Sequence, residues 1–315
     1  MTRASNPLLN PASVAIVGCS ANPDKHTARP LKYLRKHGFG GAIYPINPKA
    51  NEIQGLRAYP TLRDVGAPVD HALVMVPTDH VPGVIAECAE LGIGAATIYS
   101  DGFAERGDEG RARQQQLADV ARAGGVRLLG PNSMGYINFH TGCMLSPNMI
   151  LEMDSFTPGG VSLISQSGSM IGALLSRGTA RGVNFSKLIS IGNEADVSVG
   201  QLVDMLVDDE HTDTIVLFTE SLRNASDLAR ASRRAHTAGK AIIAYKLGRS
   251  DAGREIAASH SGALAGPVAA AEAFFRENGI IEVRLFESLI ECIPLARHNR
   301  PPNLDRPPRA ALVST

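Results

Sequence analysis

Short apolar and β-branched runs recur through the first 130 residues. Each is closed by a loop of Gly, Pro, Ser or Asn and followed by a stretch with helical spacing. Ser13–Val17, Ala42–Ile46, His71–Val76, Ala95–Tyr99 and Arg127–Leu129 read as strands; Pro30–Lys36, Val81–Leu91 and Glu109–Ala123 read as helices. Strands alternating with helices at this spacing predict a parallel, doubly wound sheet with right-handed crossovers. A second cycle begins near residue 160. Its strands are Val161–Ile164, Phe185–Ser190, Thr214–Phe218, Ala241–Tyr245 and a short Ile281–Val283, and its helices Ser169–Arg181, Val199–Val207, Ala225–Ala238, Pro267–Glu277 and Leu285–Leu295.

Between the cycles, Phe139–Gly160 is rich in Pro, Gly, Met and Asn and shows no clear period. The domain boundary is placed there, giving a first domain over 1–142 and a second over 143–297. The expected fold class is α/β: two Rossmann- or flavodoxin-like doubly wound parallel-sheet domains in tandem. From residue 298 the composition changes. His298–Pro308 carries four prolines and reads as a semi-rigid linker. Arg309–Thr315 then reads as a β-strand, either an added edge of the second sheet or the first strand of a third domain that is missing from this chain.

Length and composition fit this organisation. The 315 residues are long for one domain and comfortable for two, and 44% are hydrophobic. Lys+Arg and Asp+Glu both number 31, so no net charge draws the chain to nucleic acid or to a membrane surface. Aromatic residues are 5% and Trp is absent, which argues against base-stacking platforms. Cys19, Cys88, Cys143 and Cys292 form no CxxC, so neither a disulfide framework nor a zinc or other metal site is expected, and reduced thiols suit a cytoplasmic protein. The N-terminus has no continuous apolar signal region, and no apolar run approaches the roughly 20 residues that span a bilayer.

The loops closing the strands carry the chemistry. After the first strand come Gly18, Ser20 and Asn22, in a turn of small residues whose backbone N–H groups can face an anion, and then Lys25. The spacing is neither a P-loop nor GxGxxG, and by itself the turn is as readily a tight βα connection. The other strand ends supply Pro45, Asn47 and Lys49, then Val76 and Pro77, then Ser100 and Gly102, then Asn132. Lys25 and Lys49 suit phosphates, and Pro45 and Pro77 suit the faces of a flat ring. Ligands of open α/β sheets bind outside the carboxyl ends of the strands, so five such loops on one edge predict a nucleotide-like ligand.

In the second domain the first strand runs into Ser165-Gln166-Ser167-Gly168-Ser169, a pattern that caps a helix and also suits a phosphate at its N-terminus. Glu220 stands at a strand's carboxyl end, placed either to orient an imidazole or to cap the next helix. His260 lies in Ala258-Ser259-His260-Ser261-Gly262, where small neighbours leave room for a phosphate or a second chain. A histidine packed into a core would have larger neighbours, so His260 is the candidate catalytic residue.

Taken in order, Val17–Lys25, Ile43–Lys49, Gly130–Gly135, Ser165–Gly168, Ser190–Asp196 and the His260 segment resemble the α-type portion of the ADP-forming (nucleoside-diphosphate-forming) acyl-CoA synthetases, over essentially the whole chain. The resemblance implies a CoA-binding domain followed by a succinyl-CoA-ligase-like flavodoxin domain. It implies that Gly18, Ser20, Asn22 and Lys25 hold CoA phosphates, that the loops at Pro45–Lys49, Val76–Pro77 and Ser100–Gly102 surround the nucleotide, and that Asn132 stands near the thiol. An acyl phosphate is the implied intermediate, with His260 carrying the phosphoryl group, Glu220 steadying it and Ser165–Ser169 cradling phosphate. ATP and Mg²⁺ enter only through an ATP-grasp domain or β-type subunit, which this chain lacks. A carboxylic acid is the implied substrate, and an oligomer is compatible with the family. Two other readings compete. A non-catalytic CoA-binding or CoA-sensing module does not explain the His260 segment. An NAD-dependent dehydrogenase needs an acidic residue for the ribose, and the second strand ends in Asn47-Pro48 instead.

Overall fold

The computed structural model describes residues 6–248 and 268–298. The first sheet holds five parallel strands in the order β2-β1-β5-β6-β7, formed by β1 (Ser13–Val17), β2 (Ala42–Ile46), β5 (His71–Val74), β6 (Ala95–Ile98) and β7 (Arg127–Leu129). A two-stranded ribbon, β3 (Glu52–Ile53) with β4 (Leu56–Arg57), stands beside it. Helices α1 (Arg29–Lys36), α2 (Val81–Glu90) and α3 (Asp108–Ala123) make the crossovers. Their ends follow the expected chemistry. Pro30 opens α1 where its missing N–H costs nothing, and Asp108 and Glu109 in the first turn of α3 complement the helix dipole, as does Arg122 in its last.

The second sheet runs β14-β13-β12-β10-β11-β8-β9. Strands β10 (Val161–Ser165), β11 (Phe185–Ser190), β12 (Thr214–Thr219), β13 (Ala241–Lys246) and β14 (Ile281–Val283) are parallel. Helices α4 (Gly168–Ala180), α5 (Val199–Val207), α6 (Ala225–Thr237) and α7 (Val268–Glu277) accompany them. The fold is α/β with two doubly wound domains, and one feature differs from a wholly parallel pair. The hairpin of β8 (Tyr136–Asn138) and β9 (Cys143–Leu145) joins the second sheet antiparallel to β11, making that sheet mixed. It straddles residue 142, within and beside the stretch expected to lack regular structure. Strands of three residues are too short to show a period; pairing with β11 and burial beneath α1 hold them.

The helix expected over Leu285–Leu295 breaks at Cys292 into α8 (Ser288–Glu291) and α9 (Ile293–His298). Pro294 accounts for this: it cannot donate to the preceding turn but fits the start of a new helix. The domains meet along α1. Lys32 Nζ pairs with Glu152 Oε1 at 2.7 Å, the Tyr33 hydroxyl donates to the same carboxylate, and His37 Nε2 lies 2.9 Å from the Leu151 carbonyl.

Both sheets have a switch point. Neighbours of β1 lead the chain outward on opposite sides, to β2 and to β5, and neighbours of β10 do the same, to β11 and to β12. In such sheets the crevice for a ligand opens at the carboxyl ends of those central strands. Among the described residues no helix is long and apolar enough to cross a membrane.

Candidate functional site

A cleft of about 610 Å³ lies where the two strand-end edges face one another. From the first domain it is lined by His26, the loop Met75–Thr78 and the loop Tyr99–Asp101; from the crossing segment by Asn132–Met134; and from the second domain by Gln166–Ser169. The volume lies within the range of small-molecule sites.

Of the residues expected to hold a nucleotide-like ligand, the fold brings Val76, Pro77, Ser100 and Asn132 onto this lining. Gly18 stands just behind it. Its φ is +87°, and a Cβ there would lie 2.7 Å from the Met75 carbonyl oxygen, so only glycine lets the turn after β1 press against the strand end of β5. The side chains of Ser20, Asn22 and Asn47 build turns: Ser20 Oγ accepts from Asn22 N, Asn22 Oδ1 from Asp24 N, and Asn47 bridges the Cys19 carbonyl and the Lys49 amide. Lys25 and Lys49 are exposed beside those turns. Pro45 is buried within β2, in register with Ile16, away from the mouth. Gly102 (φ +93°) donates from its backbone to Glu105, and Ser100 Oγ donates to the Val76 carbonyl at 2.5 Å.

On the facing side, β10 turns directly into α4. Ser167 occupies the N-cap position with extended backbone, yet its hydroxyl does not cap; it lies 3.3 Å from Ser169 Oγ. Ser165 Oγ is buried and donates to the Ser167 carbonyl at 2.6 Å. The first-turn amides of α4 are therefore not taken by a capping side chain, and they open on the cleft through Gly168 and Ser169.

Gln166 behaves differently from its neighbours. Its Oε1 accepts from the backbone amides of Glu220 and Ser221, and its Nε2 donates to the Ser221 carbonyl at 2.9 Å and to Glu194 Oε1 at 2.5 Å. All four hydrogen-bonding positions of the side-chain amide are thus taken by protein, and the partners fix which atom is oxygen. Glu220 is 4% exposed, at the carboxyl end of β12, and its carbonyl accepts from Lys246 Nζ at 3.3 Å. A cavity of about 20 Å³ beside it is bounded by Asn132, Gln166, Glu194, Glu220 and Arg223 among others. His260 lies outside the described residues.

Several residues around this centre carried no role in the sequence reading. Glu194 adopts φ +57° and accepts from Val199 N through its second oxygen; burial pushes its carboxyl above the ordinary range, against the hydrogen bonds. Asn193 donates to Glu105 Oε2 and Gln114 Oε1 across the domain boundary, and its carbonyl accepts from Arg223. Burial works to raise the Glu105 carboxyl, but the Asn193 amide and the backbone N–H groups of Phe103 and Gly102 hold it below its ordinary value. The run Ser190–Asp196 supported the family resemblance, and three polar residues following a glycine at a strand end were the available signal.

Comparison with known proteins fits this geometry. A CoA binding domain model matches residues 12–138, and a succinyl-CoA ligase like flavodoxin domain model matches residues 158–296. An ADP-forming acetate–CoA ligase of Methanocaldococcus jannaschii is 38% identical over 285 residues, covering 90% of this chain and 39% of the relative. The alpha subunit of ADP-forming acetate–CoA ligase I from Pyrococcus furiosus is 36% identical over 278 residues, covering 87% and 59%. The structure of a dinucleotide forming acetyl-coenzyme A synthetase from Ca. Korarchaeum cryptofilum, in complex with phosphate and ADP, superposes with a TM-score of 0.86 at 34% identity, covering 93% of this chain and 62% of that one. The chain thus spans between two fifths and two thirds of the lengths of these relatives.

Proposed function

Because this chain belongs to the ADP-forming acyl-CoA synthetase family, joining the family's CoA-binding domain to its succinyl-CoA-ligase-like flavodoxin domain, we propose that it is the α-type portion of such an enzyme, working with an ATP-grasp domain or β-type subunit. The overall reaction is acid + CoA + ATP to acyl-CoA + ADP + phosphate. The observation that carries the proposal is the cleft itself, in which the nucleotide-type loops of one domain face the uncapped N-terminus of α4 in the other.

CoA lies across the carboxyl edge of the first sheet, with the turns around Gly18, Ser20, Asn22 and Lys25 at its phosphates and Asn132 near its thiol. Val76, Pro77, Ser100 and Gly102 surround the nucleotide, with Asn47 and Lys49 in the loop after β2 beside them and Pro45 buried within that strand. ATP and Mg²⁺ are supplied through the partner module. An imidazole nitrogen of His260 attacks the terminal phosphorus of ATP and ADP leaves. A carboxylate oxygen of the acid then attacks that phosphorus, freeing the imidazole and forming the acyl phosphate. The CoA sulfur attacks the acyl carbon, its proton passes to solvent, and inorganic phosphate departs. Imidazole is a competent nucleophile near neutral pH, Glu220 holds its orientation, and the N–H groups at Ser167–Ser169 face the charge on the moving phosphoryl group. The four cysteines, all free thiols, suit a reducing cytoplasm.

Reconstitution tests this. Mixed with an ATP-grasp partner, the chain supports acid- and ATP-dependent formation of acyl-CoA, and alone it binds CoA without turnover. Ligation by the isolated chain contradicts the division of labour, and absence of heat on titration with about millimolar CoA contradicts the CoA site.

A further inference from the structure

We infer that Gln166 is a positioning residue that sets the Glu220–Ser221 turn, rather than a ligand of the transferred phosphate. The inference rests on the proposed function for its catalytic meaning and on the hydrogen-bond geometry for its structural one.

Three strand ends of the second sheet meet at this side chain. Gln166 follows β10, Glu194 follows β11, and Glu220 follows β12. Two successive backbone amides, of Glu220 and Ser221, point at one oxygen, Gln166 Oε1, and the Ser221 carbonyl returns to Nε2. Such a clamp fixes the orientation of the Glu220–Ser221 peptide, and with it the direction in which the Glu220 side chain leaves the backbone. Gln166 is in turn held by Glu194, whose second oxygen accepts from Val199 N at the start of α5. The adjoining Asn193 is anchored to Glu105, which also receives the amides of Gly102 and Phe103 in the first domain. The turn that carries Glu220 is therefore braced, through Gln166, from the loop after β6. A phosphate ligand needs an uncommitted donor, and the Gln166 amide has none.

The test exchanges the two ends of the Gln166–Glu194 bond. Gln166→Glu keeps the acceptor for Glu220 N and Ser221 N but sets two carboxylates against each other and turns an oxygen toward the Ser221 carbonyl. Adding Glu194→Gln restores a donor–acceptor pair with the roles reversed, while a phosphate at position 166 would still meet a carboxylate. Two quantities are read on the full chain: single-turnover transfer of labelled phosphoryl from acetyl phosphate to His260, and hydrogen exchange of the Glu220 and Ser221 amides. The expected result for Gln166→Glu is a rate lower by about tenfold or more, half-saturation changed by less than about twofold, and faster exchange of both amides. Gln166→Glu/Glu194→Gln, in which only the Ser221 carbonyl still faces an oxygen, recovers part of the rate and slower exchange of both amides than Gln166→Glu alone. A raised half-saturation at an unchanged rate would overturn the inference, as would a double variant that melts like the wild type yet recovers neither amide. If the wild-type chain takes no label, the proposed function fails, and the positioning role is decided by the amide exchange alone.

Discussion

Asn193 Nδ2 donates to Glu105 Oε2 at 2.5 Å, tying the loop after β11 in the second domain to the loop after β6 in the first. Since Glu105 also collects the amides of Gly102 and Phe103, this bond joins one wall of the cleft to the frame around Glu220. Replacing Asn193 by Ala leaves part of that network without its donor. It is expected to cost about 1–3 kcal/mol in denaturant unfolding and to weaken CoA binding in calorimetric titration. Because the Glu105 carboxyl sits below its ordinary value, its contribution is fully present above about pH 4.5 and is lost as pH falls through the folded value. The gap between wild type and Asn193→Ala therefore narrows in acid.

Gly18→Ala meets both obstacles at once, a φ of +87° and a Cβ 2.7 Å from the Met75 carbonyl oxygen. A loss of about 1–3 kcal/mol is expected, together with loss of CoA binding, because the displaced turn lies at the switch point of the first sheet. Gly66→Ala is the control. Its φ is +66° with nothing within 4 Å of the added carbon, so it carries the backbone strain without touching the cleft, and CoA titration is expected to match the wild type.

His71 links stability to pH. It is fully buried, with Nδ1 3.0 Å from the Pro7 carbonyl and Nε2 2.8 Å from Thr97 Oγ1, so Nδ1 carries the hydrogen and Nε2 accepts from the hydroxyl. Burial pushes its pKa down to about 4 from 6.5. The unfolded chain then binds the extra proton first, and stability falls as pH drops from about 6.5 toward 4. The full separation corresponds to about 3 kcal/mol. Urea midpoints from pH 7 to 4 check this: the advantage of wild type over His71→Leu is expected to shrink by up to that amount.

The strands β1, β2, β7, β11 and β14 stand at their expected limits, and β1, β2 and β7 run directly into the turn-forming residues Gly18, Asn47 and Gly130. The hairpin β8–β9 did not show in the sequence, since three-residue strands have no measurable period and are held by contacts with β11 and α1, distant in the chain. The walls of the cleft were legible for the same reason as the strands: topology alone places Val76, Pro77, Ser100 and Asn132 on one edge. What their side chains do was less so. Asn47 reaches back to the Cys19 carbonyl, Pro45 is buried in β2, and Ser167 takes the capping position without capping. The role of Gln166 depends on Glu194, 28 residues on, and on Ser221, 55 residues on, separations at which no local pattern reports a hydrogen bond.

The central claim is that this chain carries a phosphoryl group on His260 beside a CoA site. Incubation with acetyl phosphate labelled at phosphorus, followed by peptide mapping, tests it most directly. Acid-labile, base-stable label is expected on the peptide containing His260, and none in His260→Ala. Equal label in the His260→Ala chain would contradict it.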